Sequence, residues 1–191
     1  MSAGKVQAEL ENSIAALETL RDSPDTLARV ARLAETISSA LAGGGRVWLF
    51  GNGGSAAAAQ HIAAELVGRF RRDRAALPAE ALSVNTSVVT AIANDYGFAQ
   101  VFARQLEAQA RPGDVAIGIS TSGRSENVIV GLRTAKRLGL HTAALTGGDG
   151  GTLSHAASEC IVVPVADTPR IQECHAVIGH VLCELVEAAL E

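Results

Sequence analysis

The chain reads as an α/β protein built on a five-stranded, doubly wound parallel sheet, with a pair of helices ahead of the first strand. Two observations predict this. Short apolar runs at 47–50, 81–84, 115–119, 142–145 and 161–163 alternate with helix-patterned stretches. Strands this short, separated by helical stretches, indicate a parallel sheet covered on both faces by helices. In such sheets ligands sit beyond the carboxyl ends of the strands, so the loops after Phe50, Val84, Ile119 and Leu145 are expected to line one rim.

The leading helices can be placed from their punctuation. Residues 6–20 carry apolar positions at helical spacing, and Ser23-Pro24-Asp25 is a second helix start, with Ser as N-cap and Pro in the first turn. That helix runs to about Leu41, ahead of Gly43-Gly44-Gly45. Neither helix can be a crossover, because no strand precedes them. Residues 1–42 are therefore expected to form a helical hairpin packed on the domain or on another subunit, and residues 46–191 the sandwich. At 191 residues the chain holds one sizeable domain and is short for two.

Composition removes several classes of function. The 48% of hydrophobic residues is spread in short runs, none near the roughly 20 residues of a membrane span. The start, Met1-Ser2-Ala3-Gly4-Lys5, has no signal-peptide apolar core, so the expected compartment is the cytoplasm. Cys160, Cys174 and Cys183 form no C-x-x-C pair and read as small buried residues in a reducing environment. A net charge of −4 and 3% aromatic residues give nucleic acid neither general attraction nor stacking platforms. The local cluster Arg69, Arg71, Arg72 and Arg74 around Phe70 reads as a solvated or subunit-contact face, with anion binding as the alternative.

The most informative segment is Ile119-Ser120-Thr121-Ser122-Gly123-Arg124-Ser125, which follows a strand and opens a helix at Glu126. Free N–H groups and the positive end of the helix dipole face outward at such a junction, and small residues let an anion approach the main chain. The hydroxyls of Ser120, Thr121, Ser122 and Ser125 add donors for a phosphate. No Lys follows the Gly, so this is not an ATP-type P-loop. Gly51-Asn52-Gly53-Gly54-Ser55-Ala56 formally satisfies the dinucleotide fingerprint G-x-G-x-x-[GA]. The second strand, however, ends in Val84-Asn85-Thr86, without the acidic residue that would hold the ribose.

Three further constellations carry polar chemistry. His61 and Glu65 stand four apart on one helical face among alanines, where they could bind a metal or move a proton. The last helix opens at Asp167-Thr168-Pro169 and carries Gln172, His175 and His180. A lone His on an apolar face is ordinarily a satisfied core residue, and that reading applies to His175 and His180 taken singly. Gln172 and His180 lie about 12 Å apart along a helix axis, so they meet one ligand only from opposite sides or from two subunits. Asn94-Asp95 interrupts an apolar run and offers a carboxamide and a carboxylate to sugar hydroxyls, or forms a helix C-terminus and turn.

Taken in order, Gly51-Asn52-Gly53-Gly54-Ser55, Gln60-His61-Ile62-Ala63-Ala64-Glu65-Leu66, Ala91-Ile92-Ala93-Asn94-Asp95, Ile119-Ser120-Thr121-Ser122-Gly123, Leu145-Thr146-Gly147 and Arg170-Ile171-Gln172-Glu173 resemble the sugar isomerase (SIS) fold and, within it, the phosphoheptose isomerases. The resemblance covers nearly the whole chain. It implies a single SIS domain over residues 1–191, a flavodoxin-like three-layer sandwich. It also implies a homotetramer with active sites between subunits. The implied activity interconverts sedoheptulose 7-phosphate and D-glycero-D-manno-heptose 7-phosphate through an enediol, the first step towards a nucleotide-activated heptose of the kind used in lipopolysaccharide.

The same resemblance implies that Ser120, Thr121, Ser122 and Ser125 hold the phosphate. Asn52, Gly53, Gly54, Glu65, Asn94, Asp95 and Gln172 then contact the sugar, and His61, Glu65, Gln172 and His180 form a zinc site. Glu65 is the expected base and His180 its acid–base partner. A Gln carbonyl is a weak zinc ligand, so modest metal occupancy is expected. Two positions depart from the family: Arg124 stands where Asn is common, and Ala58 where many members have Asp. Arg124 is expected to strengthen anion binding or alter the choice of sugar. The principal alternative is a non-catalytic phosphosugar-binding regulator of the replication-initiator-binding type. That group lacks the residues found here as Glu65 and His180, and their presence favours an enzyme.

Overall fold

The computed structural model describes residues 2–190. Five strands, β1 (Val47–Gly51), β2 (Ala79–Ala81), β3 (Val115–Ile119), β4 (His141–Gly147) and β5 (Glu159–Val163), form one sheet in the order β2-β1-β3-β4-β5. Every neighbouring pair is parallel. Strand order reverses direction between β1 and β3, and the crevice between the loops leaving those two strands is where such sheets bind ligands.

Among the described residues, seven α-helices cover the sheet: α1 (Ala3–Arg21), α2 (Pro24–Ala42), α3 (Gly54–Val67), α4 (Thr86–Tyr96), α5 (Ala103–Gln109), α6 (Glu126–Arg137) and α7 (Thr168–Ala189). Strand β1 explains why both faces must be covered. Its pleat sends Val47 and Leu49 into a core shared with α1, α2, α3 and α7, and Trp48 and Phe50 into a second core shared with α5 and α6. All four are essentially inaccessible to water.

Helix α2 belongs to this layer. It buries Val30, Leu33, Ala34, Ile37 and Leu41 in the same core as β3 and β5, and Arg29 and Arg32 reach Glu159 on β5 at 2.8 and 3.0 Å. Ser23 stands at its N-cap, but the hydroxyl donates backwards to the Thr19 carbonyl at 2.7 Å and so seals α1.

The second strand is shorter and earlier than the apolar run 81–84 predicts. Leu82 still donates its N–H to Leu49, but Val84 turns back onto the Ala81 carbonyl, and Asn85 caps α4 by accepting the Val88 N–H at 3.1 Å. Val84 is thus an exposed turn residue. Cys174 and Cys183 are buried and Cys160 half-buried, all as free thiols. Among the described residues no helix is long and apolar enough to cross a membrane.

Candidate active site

The serine loop leaves β3 at the edge of the crevice. A turn closes where Gly123 donates to the Ser120 carbonyl at 3.1 Å, with Gly123 at φ +64, a conformation that favours Gly. Ser120 also donates its N–H to Leu145, and Gly147 donates to Thr121, so the loop is stitched to the end of β4. The Ser120 and Ser125 hydroxyls lie 2.9 Å apart. Ser125, the N-cap of α6, makes no side-chain cap bond. The first turn of that helix therefore keeps free N–H groups for an anion. Thr121 is half-buried and Ser122 exposed.

Across the crevice, Asn52 pairs with Asn127 through two reciprocal amide bonds of 2.9 and 2.8 Å. This contact joins the β1 loop to the first turn of α6. Sequence reasoning missed Asn127, a 3%-exposed polar residue. Its signal was a carboxamide at helical spacing from Gly131 and Thr134, on the buried side of α6. Gly53 (φ +54) turns the chain into α3, and Gly54 leaves room only for the Gln172 amide packed against it.

Gly54 and Gln172 begin a seam that organises the rest of the site. Helices α3 and α7 run side by side in the same direction. Gly54 faces Gln172, Ile62 faces Gly179, His61 meets His180 across 119 residues of sequence, and Phe70 meets Glu187 across 117. Gly179 is what permits the approach, since a Cβ there would collide with the Ile62 side chain. Seven residues of helix separate Gly54 from His61, about 10 Å. Gln172 and the imidazole pair therefore sit at different heights of one seam.

At the lower height three donors converge. His61 Nε2 lies 2.8 Å from His180 Nε2 and 3.6 Å from Glu65 Oε1, and one ligand atom from each of the three residues falls within 4.8 Å of the others. A divalent ion takes its His and carboxylate donors at about 2.0–2.2 Å, and three such ligands leave one coordination position open. The donor set thus fits a metal centre of the catalytic kind. His61 and His180 are exposed, and Glu65 is half-buried.

Asn94 and Asp95 are on the other layer. Asn94 donates to Asp95 at 2.7 Å in the last turn of α4, and α4 packs Val89, Ile92 and Ala93 on the second core. Within one chain the sheet stands between them and the His61–Glu65–His180 group. His175 is a buried core residue, bonded through one ring nitrogen. It is 1% exposed, its Nε2 donates to the Thr146 carbonyl at 3.1 Å, and its Nδ1 has no partner. Burial pushes its pKa down to about 4, against a small opposing effect of that hydrogen bond. Ala58 packs against the first core.

Sheet order, serine loop and paired helices together are those of a SIS domain, whose family model matches residues 10–147. The chain is 58% identical to the phosphoheptose isomerase of Aquifex aeolicus over 83% of both chains. It is 46% identical to that of Clostridium acetobutylicum over 97% of this chain and 94% of that one. The phosphoheptose isomerase structure from Francisella tularensis superposes with a TM-score of 0.90 at 36% identity, covering 98% of this chain and all of that one. The structure from Neisseria gonorrhoeae gives 0.87 at 39%, covering 97% and 98%. The chain belongs to the phosphoheptose isomerase family of SIS-domain proteins.

Proposed function

We propose that the protein is an aldose–ketose isomerase that interconverts sedoheptulose 7-phosphate and D-glycero-D-manno-heptose 7-phosphate in the cytoplasm. The carrying observation is the convergence of His61, Glu65 and His180 at one point of the α3–α7 seam. The chemistry needs a base for carbon-bound protons and an acid for oxygens. Glu65 takes a proton from C1 of the ketose while His180 gives one to the C2 oxygen, which yields the neutral enediol. Glu65 then returns its proton to C2 and His180 withdraws one from the C1 oxygen, leaving the aldose with both side chains restored. Each role contributes about 10²–10⁴-fold.

Ser120, Thr121, Ser122 and Ser125 bind the phosphate at the free first turn of α6, and Asn52, Gly53, Gly54, Glu65, Asn94, Asp95 and Gln172 contact the sugar. Zinc is the metal that suits His61, Glu65 and His180, with Gln172 as a weaker fourth ligand. When bound it polarises the carbonyl and lowers the cost of negative charge on the enediol oxygens. A carboxylate held by the metal would be a weaker base, so Glu65 would serve both purposes only by changing its coordination during turnover.

The reading includes one SIS domain over residues 1–191 and a homotetramer whose sites lie between subunits. Support comes from apolar residues left in water at helical spacing: Val6, Leu10 and Ile14 on α1, and Val177, Val181 and Leu185 on α7, each at least 40% exposed. The separation of Gln172 and of Asn94-Asp95 from the metal ligands within one chain also favours contributions from a neighbour.

Incubation with sedoheptulose 7-phosphate, followed by chromatographic resolution of products, is the test. An aldoheptose 7-phosphate is expected. Its absence both with and without added zinc overturns the proposal.

A further inference from the structure

The turn after α3 is held by a buried carboxylate. Glu187, on α7 and 3% exposed, accepts the N–H groups of Phe70, Arg71 and Arg72 at 3.0, 2.9 and 3.1 Å and the Arg74 Nε at 3.1 Å. Burial alone would raise its carboxyl. The N–H groups of Arg71, Phe70 and Arg72, with the charge of Arg74, outweigh that and hold it below the usual range. Arg74 then closes the end of α3, its Nη1 donating to the Leu66 carbonyl at 2.9 Å and its Nη2 to the Glu65 carbonyl at 3.0 Å. The sequence reading of this arginine cluster as a solvated or subunit-contact face fails for Arg74, whose side chain is 14% exposed.

Phe70 is the outcome of this clamp. Its ring lies 5.4 Å from the His180 ring, tilted by 35°, while the His61 ring stands edge-on to His180 at 5.0 Å. Within one chain His180 is exposed on α7, and there an imidazole has several staggered rotamers open to it. In the rotamer it adopts, His180 meets both the Phe70 and the His61 rings and brings its Nε2 to 2.8 Å from that of His61.

We propose that Phe70, set by Glu187 and Arg74, is a positioning residue that selects the working rotamer of His180. Only its kinetic consequence rests on the isomerase reading. The same arginine donates to the main-chain carbonyl of Glu65, so one buried ion pair is tied both to Phe70 and to the helix turn that carries Glu65. Supporting contacts of this kind hold a site to the tolerance that proton transfer needs.

The test compares Phe70→Ala and Phe70→Tyr with the parent chain in metal-free form. With histidine-selective isotope labelling, the parent His180 ring is expected to give one signal displaced by the neighbouring aromatic ring. Phe70→Ala should move it to a rotamer-averaged position, and Phe70→Tyr should restore it. In kinetics, Phe70→Ala should lower kcat at least about tenfold with KM within about twofold, because a small misplacement of a reacting group is costly while the phosphate cradle is untouched. Phe70→Tyr should recover kcat. The spectroscopic arm uses no substrate, so a chain inactive on heptose phosphates still decides it. A His180 signal unmoved by Phe70→Ala, or an unchanged kcat in an active chain, overturns the proposal.

Discussion

The Arg124 guanidinium donates to Asp149 at 2.7 Å and to the Ser122 carbonyl at 3.0 Å, which stations a cation on the rim of the serine loop under the hold of a carboxylate from the next loop. Both side chains are more than half exposed, and Arg124 together with the Gly151 N–H keeps the Asp149 carboxyl below its usual range. Exposed pairs of this kind are weak, so a phosphate dianion in the loop competes for the arginine. Asp149→Asn is expected to tighten phosphosugar binding several-fold and Arg124→Asn to weaken it. Both differences should shrink as salt is raised. Calorimetric titration at low and high salt checks this, and three equal affinities would exclude any role for the pair.

Glu65→Gln removes the proposed base and leaves the proposed phosphate cradle intact. Turnover should fall by about 10²–10⁴-fold while phosphosugar affinity stays near that of the parent. Ser122→Ala should do the reverse, raising KM with little effect on kcat. Steady-state kinetics paired with equilibrium binding separates the two signatures.

His175 makes stability depend on pH. Its pKa falls from 6.5 to about 4 on folding, so the unfolded chain binds more protons between those values. Stability is therefore full above about pH 6.5 and drains away as pH falls towards 4, with a total loss of about 3 kcal/mol. Glu187 has the depressed carboxyl of an acid paired in the folded state, and its contribution is lost only below its ordinary value of 4.5. Urea unfolding at several pH values between these limits should show the slope in the parent. It should be flatter in His175→Gln, whose amide can still donate to Thr146.

Gly179→Val tests the seam. The new side chain overlaps Ile62, and overpacking of this kind costs about 1–3 kcal/mol. Because His61 and His180 flank the same contact, metal affinity measured with Co2+ alone should fall as well. Unchanged stability and affinity would show that the two helices tolerate a wider spacing.

Much of this site was legible before any coordinates. Residues 115–119 and the hydroxyl-rich string after them declare a strand, a loop and a helix start by local chemistry, and local chemistry survives folding. His61 and Glu65 were paired by helical spacing for the same reason. What the sequence concealed is long-range. Spacing alone does not announce that His180 will stand beside His61, a pairing that only the family resemblance implied, and nothing near Arg74 announces Glu187, because those contacts depend on how α3 and α7 are laid against each other. The run 81–84 misled because Val84 is apolar without being buried, its neighbours Ser83 and Asn85 having already begun the turn into α4.

The parallel course of α3 and α7 has a consequence for how this protein can change over generations. The residues proposed to transfer protons are mounted on two helices packed against the sheet, whereas Arg124 and Asp149 belong to surface loops that bear none of that burden. Substrate preference can therefore drift by loop mutation while the reactive machinery is inherited intact.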